Sequence, residues 1–121
     1  MSPEITVYVE SEILPGQAEA LREVVARVIE HCGATEPGLI AYDWYVDKAG
    51  LECRVVERYT DSDAILFHFQ NYARFGEELA ACRKMKQLTL LGEPSEALRK
   101  ALEAMSPPVF LPSIGLVRPA P

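Results

Sequence analysis

The chain has 121 residues, enough for one domain with its own core and too few for two. Hydrophobic residues make up 49% and charged residues 25%, the balance of a folded domain rather than a disordered one. A net charge of −6 argues against binding a phosphate backbone, which needs clustered Lys and Arg, and against an anionic membrane surface.

The opening MSPEITVYVE has no basic segment and no long apolar stretch, so no secretory leader is expected. No apolar run approaches the length of a membrane span. Cys32, Cys53 and Cys82 are an odd number of cysteines, widely spaced and without a CxxC pair. Reduced thiols in the cytoplasm are the expectation.

Residues 4–14 alternate, with Ile5, Val7, Val9 and Ile13 on one face, which predicts a half-buried strand. Pro15-Gly16 then opens a helix. Leu21, Val24, Val25, Val28, Ile29 and Cys32 share its apolar face, and Gly33 is its expected stop. Glu36-Pro37-Gly38 is a turn signal. Residues 39–47 (LIAYDWYVD) predict a second strand, with Ile40, Tyr42, Trp44 and Val46 on one face. A loop containing Gly50 leads to a third, antiparallel strand over 51–59, with Cys53, Val55, Glu57 and Tyr59 on one face.

Asp61-Ser62-Asp63 is a helix N-cap cluster, and 64–71 is helical. A further helical segment runs over 77–84, with Gly76 as a break, and 85–92 predicts a fourth strand. Pro94 opens a short helix carrying Leu98, Ala101, Leu102 and Met105 on one face, ended by Pro107-Pro108. The remainder is an extended arm with a short edge strand after Pro112. The order strand, helix, strand, strand, helix, strand is the split βαβ arrangement of a ferredoxin-like α+β sandwich. The expected organisation is a single domain, 1–121, with its core over 1–93 and a helix and arm over 94–121. A sheet with one bare, partly apolar face must bury it, which predicts a homodimer, across whose interface the C-terminal arm could swap.

His68 lies on the same helical stripe as Ile65, Phe69 and Tyr72 and should meet the sheet. Burying an imidazole requires a partner, and Glu57, near the end of the strand feeding this helix, is the candidate. Such a carboxylate would fix the tautomer and raise the basicity of the ring. A histidine on a core face is, however, more often a structural residue bonded to a backbone carbonyl. Tyr42, Trp44, Tyr45 and Tyr59 form an aromatic group that suits either a flat ligand or a plain core. Asn71, one turn after His68, suits either a bound oxygen or solvent. His31-Cys32 are adjacent and diverge, so no metal site is assigned. There is no glycine-rich phosphate loop, GxSxG or HExxH.

EPGLIAYDWYVD followed by ECRVVERYTDSDAILFHFQN resembles the antibiotic biosynthesis monooxygenase superfamily, and within it the quinol monooxygenase-like branch. The resemblance spans about Glu4 to Gly92. It implies a dimeric α+β barrel with a pocket between sheet and helices. It also implies oxygenation of an electron-rich phenol or quinol with neither metal nor flavin, the substrate supplying the electrons. Carried over by position, His68 is the base and Glu57 its carboxylate, with Trp44, Tyr42, Asn71, Phe69 and Tyr59 around a small hydrophobic or aromatic ligand. The haem-degrading branch has an Asn on its first strand and a Trp and His on or after its second helix. Here the first strand has no Asn and the one Trp, Trp44, precedes that helix. Since a fold does not establish an activity, two other readings stay open. One is a non-catalytic dimeric domain binding a small ligand or a protein; the other is an isomerase or decarboxylase using His68 without oxygen.

Overall fold

A computed structural model describes residues 3–119. Strand β1 (Ile5–Ile13) leads into helix α1 (Ala18–Thr35), then the hairpin β2 (Leu39–Val46) and β3 (Glu52–Tyr59). Helix α2 (Ser62–Tyr72) follows, then a 3-10 turn (Ala73–Phe75), helix α3 (Gly76–Cys82) and strand β4 (Arg83–Leu91). Helix α4 (Glu96–Ala101) and a short strand β5 (Val109–Phe110) complete the order. The sheet runs β2-β3-β1-β4-β5, antiparallel except for the β4–β5 pair. The ferredoxin-like core is therefore present, extended by one edge strand.

The core lies between the sheet and the helices. Ile5, Val7, Val9 and Ile13 of β1 and Cys53, Val55 and Tyr59 of β3 face α1's Leu21, Val24, Val25, Val28 and Cys32. The period-2 and helical stripes in the sequence thus do what they predict. Asp61 caps α2, its side chain accepting from the Ala64 N–H at 2.9 Å. Ser62 Oγ accepts from the Ser95 N–H at 2.9 Å and fastens the α4 segment to α2, with Leu98 and Leu102 buried beneath it.

Several local expectations are corrected. Pro15-Gly16 make a turn before α1, closed by the Gln17 N–H on Leu14 O, rather than its first turn. Gly33 does not end α1; the helix runs to Thr35 and stops at Glu36, whose backbone is extended. The residue before a proline is pushed out of the helical region, and Pro37 does this to Glu36. Ile40 is exposed because the β2–β3 register shifts between Leu39 and Ala41, leaving it as an extra residue. Arg83 and Lys84 belong to β4 rather than to a helix. On α4, Ala101 and Met105 face solvent while Leu98 and Leu102 are buried, since the helix is too short to carry the stripe as far as Met105. The edge strand precedes Pro112 instead of following it; Leu90 N–H and Gly92 N–H donate to Pro108 O and Phe110 O, and Pro112 itself has no N–H to offer a ladder. Beyond β5 the arm exposes Leu111, Ile114, Leu116 and Val117.

The Glu36-Pro37-Gly38 turn brings β2 close to α2. A Cβ at Gly38 would sit 2.6 Å from Ala64 Cβ and 3.0 Å from Thr60 Oγ1. Gly38→Ala is therefore expected to cost about 1–3 kcal/mol, read from urea unfolding, by forcing α2 away from the start of β2. A change below about 0.5 kcal/mol would mean the turn yields easily.

Candidate functional site

α1, its C-terminal turn, β3 and α2 converge on His68, which is 2% exposed. Glu36 reaches it from the end of α1. The His68 Nδ1–H donates to the Glu36 carboxylate, with Oε1 at 2.9 Å and Oε2 at 3.0 Å. With Nδ1 donating, the neutral form of the ring carries its proton there and its lone pair on Nε2. Nε2 faces Glu57 across β3, its Oε1 at 3.7 Å, beyond hydrogen-bond reach. The imidazole thus sits between two buried carboxyl groups, tightly held by one and open toward the other.

The second carboxyl group is different in kind. Tyr59 Oη donates to Glu57 Oε1 at 2.5 Å, and both residues are buried. Burial pushes the Glu57 carboxyl above its ordinary range, and the opposing influence of His68, the Tyr59 hydroxyl and Arg83 does not cancel it. Burial likewise holds the Tyr42, Tyr59 and Tyr72 hydroxyls protonated. Folding then favours the protonated form of Glu57, so its contribution to stability is full below the ordinary value of about 4.3 and is lost as pH rises through the higher folded value. Glu57→Gln keeps an acceptor for Tyr59 and removes this titration. It is expected to stabilise the chain at neutral pH and to flatten its stability between mildly acid and neutral pH. Thermal melts across that range check this; a variant less stable than wild type at neutral pH would show that Glu57 is held ionised.

Rings enclose the imidazole. Tyr72 stacks on it at 5.0 Å between centroids and 4° between planes. Tyr42 meets it edge-on at 5.0 Å, and Tyr59 and Phe69 lie at 5.6 and 6.4 Å. Val9, Tyr42, Glu57, His68, Phe69, Tyr72, Arg83, Met85 and Leu88 line a cavity of about 20 Å³, room for one water molecule. Tyr42, Phe69, Tyr72 and Met85 are only half-buried and form its outer wall, so their side chains must shift to admit a ring.

Of the residues expected at a site, His68, Glu57, Tyr42, Tyr59 and Phe69 come together. Trp44 stands apart from the cavity wall, its ring 5.8 Å from Tyr42 and 4.9 Å from the Arg83 guanidinium carbon. Asn71 turns outward from the imidazole: its amide donates to Glu36 Oε2 at 2.8 Å and Thr35 Oγ1 at 2.9 Å, and its oxygen accepts from His31 Nε2 at 2.9 Å. Arg74 closes this chain at the surface, its Nη1 3.4 Å from His31 Nδ1, the ring nitrogen left to accept. Asn71 therefore positions Glu36 rather than a ligand.

Glu36 and Arg83 are the site residues that sequence reasoning misses. The α1 stripe Val25, Val28, Cys32 does project onto Glu36, a turn further on. Cys32 also brings its thiol to this side of the imidazole. The Cys32, Glu36 and His68 ligand atoms lie within 4.8 Å of one another, a grouping that could hold a metal ion. Burial, then the neighbouring Glu36, pushes the Cys32 thiol up to about 12, and the Nδ1 proton is already committed to Glu36. A cation would have to displace both protons, so the donor set fits a proton-bonded cluster better than a metal.

The comparisons agree with this architecture. The structure superposes on MupZ from Pseudomonas fluorescens with a TM-score of 0.87 at 25% identity, covering 98% of this chain and 91% of that one. SnoaB from Streptomyces nogalater, a cofactor-independent oxygenase, matches at a TM-score of 0.66 and 16% identity, over 78% of this chain and 96% of that one. Rv0793 from Mycobacterium tuberculosis matches at 0.63 and 24%, over 78% and 98%. The latter two are likenesses of fold alone. No curated protein sequence matches significantly. No helix among the described residues is long and apolar enough to cross a membrane. The profile named "Antibiotic biosynthesis monooxygenase" matches residues 4–86, more than half of the sequence, and the chain belongs to that family.

Proposed function

We propose that this chain is a proton-transfer enzyme of the antibiotic biosynthesis monooxygenase family in which His68 Nε2 is the base. One observation carries the reading: a buried imidazole whose Nδ1 is bonded to Glu36 at 2.9 Å while Nε2 faces Glu57 at the cavity wall. A core histidine needs one backbone acceptor; this one has the Glu36 carboxylate on one side and the Glu57 carboxyl group on the other. Glu36 stabilises the imidazolium that forms when Nε2 takes a proton. Tyr42, Phe69 and Tyr72 supply flat apolar walls, which suit an aromatic or small hydrophobic substrate.

In the oxygenase form of this reading, His68 takes the hydroxyl proton of a phenol or quinol. The resulting anion passes one electron to dioxygen, the radical pair combines at a ring carbon, and the His68 imidazolium returns its proton to the peroxide so formed. Loss of water from that hydroperoxide leaves a carbonyl, so one oxygen atom enters the product and the other leaves as water. SnoaB, a cofactor-independent oxygenase of the same fold, supports this form. The family is typically dimeric, and a homodimer in the cytoplasm is the working unit proposed, where the three thiols stay reduced.

A second form is favoured by a specific observation. Glu57 is a buried carboxyl group held toward its protonated state, opposite a base. An acid and a base on two sides of one cavity suit a non-oxidative step, in which Glu57 gives a proton to a substrate oxygen while His68 removes one elsewhere. Turnover with and without dioxygen separates the two forms. A panel of hydroquinones and polyphenols is assayed for oxygen uptake beside the same panel under nitrogen, with wild type and His68→Gln. Uptake that collapses in the variant supports the oxygenase form. Product formed under nitrogen and lost in the variant supports the non-oxidative one. Equal behaviour of wild type and variant on every compound would overturn the assignment of His68.

A further inference from the structure

Arg83, the first residue of β4, is nine-tenths buried and lines the same cavity as His68 and Glu57. A guanidinium carries five N–H donors. Here one hydrogen bond is made, Nη1 to Ser11 Oγ at 2.8 Å, and the guanidinium carbon stands 4.9 Å over the Trp44 ring. No carboxylate among the described residues forms an ion pair with it. The Trp44 indole N–H is also buried and has no acceptor among the described residues.

Arg83, on the cavity wall, and Trp44, behind it, are therefore both donor-only groups short of acceptors. A cation over an aromatic ring gains a modest attraction. Burying an unpaired charge costs considerably more. The stacking on Trp44 does not offset that cost, and an anion would. A planar carboxylate matches the guanidinium fork in two parallel hydrogen bonds. A monoanion also fits the local charge: apart from the His68–Glu36 pair, Arg83 is the one cationic side chain on the cavity wall, and Glu57 tends to its neutral form. A phosphate dianion beside two carboxyl groups would leave the cavity over-charged.

The fold places Arg83 here through a register slip. β4 carries an extra residue opposite the Glu10–Ser11 step of β1: Gln87 pairs with Glu10, and Met85 with Ser11. Lys86 is passed over, so Arg83 and Met85 turn inward on the same side as Leu88 and Leu90. Without that slip, strict alternation from Leu88 would bury Lys86 and Lys84 and leave Arg83 in solvent.

We propose that Arg83, backed by the Trp44 ring, is an anchor for a carboxylate group of the substrate, so that the enzyme acts on a carboxylic acid whose reacting part is then held against His68 and Glu57. This rests on the proton-transfer reading of the same site and adds the class of molecule it takes. The test uses acetate, benzoate and phenylacetate, each beside its neutral amide. Trp44 is the chain's one tryptophan and reports binding by its fluorescence, with calorimetry as a second readout. At least one acid is expected to bind about tenfold or more tightly than its amide. The ratio should fall close to one in Arg83→Gln and lie between the two in Arg83→Lys, which keeps the charge but not the fork. If Arg83→Gln fails to fold, wild type against Arg83→Lys still decides. Equal binding of acid and amide by wild type, no binding of any acid at millimolar concentration, or an acid preference that survives in either arginine variant unchanged would overturn the proposal. The two readings fail separately. His68→Gln should keep the acid preference while losing turnover; an enzyme that turns over substrate through His68 but ignores the carboxylate would sink only the anchor.

Discussion

Glu36→Ala is expected to remove about 3–5 kcal/mol of stability, the largest loss for any single side chain at the site. The carboxylate is 5% exposed and serves three buried or half-buried groups at once: the imidazole N–H of His68, the amide of Asn71 and the thiol of Cys32. Truncation leaves the first two donors without an acceptor, each worth about 1–3 kcal/mol, and opens a void under α2. Against a typical total of about 5–15 kcal/mol, such a loss leaves the chain marginal. Glu36→Gln keeps one acceptor oxygen, so it should lose less than half as much while still failing to stabilise a protonated ring. Urea unfolding followed by circular dichroism gives both numbers. An alanine variant within 1 kcal/mol of wild type would mean that Glu36 is solvated and does not hold His68.

The largest functional effect belongs to His68→Ala. Loss of a general base typically costs about 10²–10⁴ in rate. Here the loss should fall on kcat more than on KM, because the imidazole is mostly behind the ring-lined wall and contributes little to holding the ligand. The alanine variant also strands Glu36 as a buried charge, so His68→Gln, which can donate one N–H to Glu36, is the better-folded comparison. If His68 and Glu36 work as one unit, the double variant Glu36→Gln/His68→Gln should be no slower than His68→Gln alone. Additive losses would show that Glu36 acts on the substrate directly, and a His68→Gln variant within a few-fold of wild type would remove the base from the account.

The parts of this molecule that were legible in its sequence are those set by local periodicity. The alternation of β1 and β3 and the α1 stripe correctly place Val7, Val55, Leu21 and Val28 in the core, because one buried face per element leaves one solution. His68 and Glu57 were legible for the same reason: each is a polar residue on a face that the pattern buries. What was not legible depends on contacts between distant elements or on broken periodicity. Glu36 reaches His68 across 32 positions from a turn whose Pro-Gly reads as surface. Arg83 and Ile40 are placed by extra residues in β4 and β2, and a register slip reverses the face that alternation assigns. The pairing of β5 depends on Pro108 and Phe110 carbonyls meeting β4, which no local signal announces.

In the proposed mechanism Glu36 holds the proton on His68 Nδ1 and leaves Nε2 bare as the base. Nitrogen-15 spectra of the imidazole rings test it most directly, and with only two histidines in the chain, His31→Gln assigns the signals. In the neutral ring, His68 is expected to carry its proton on Nδ1 in wild type and to lose that preference in Glu36→Gln. A neutral His68 with its proton on Nε2, or a tautomer unchanged by Glu36→Gln, would contradict it.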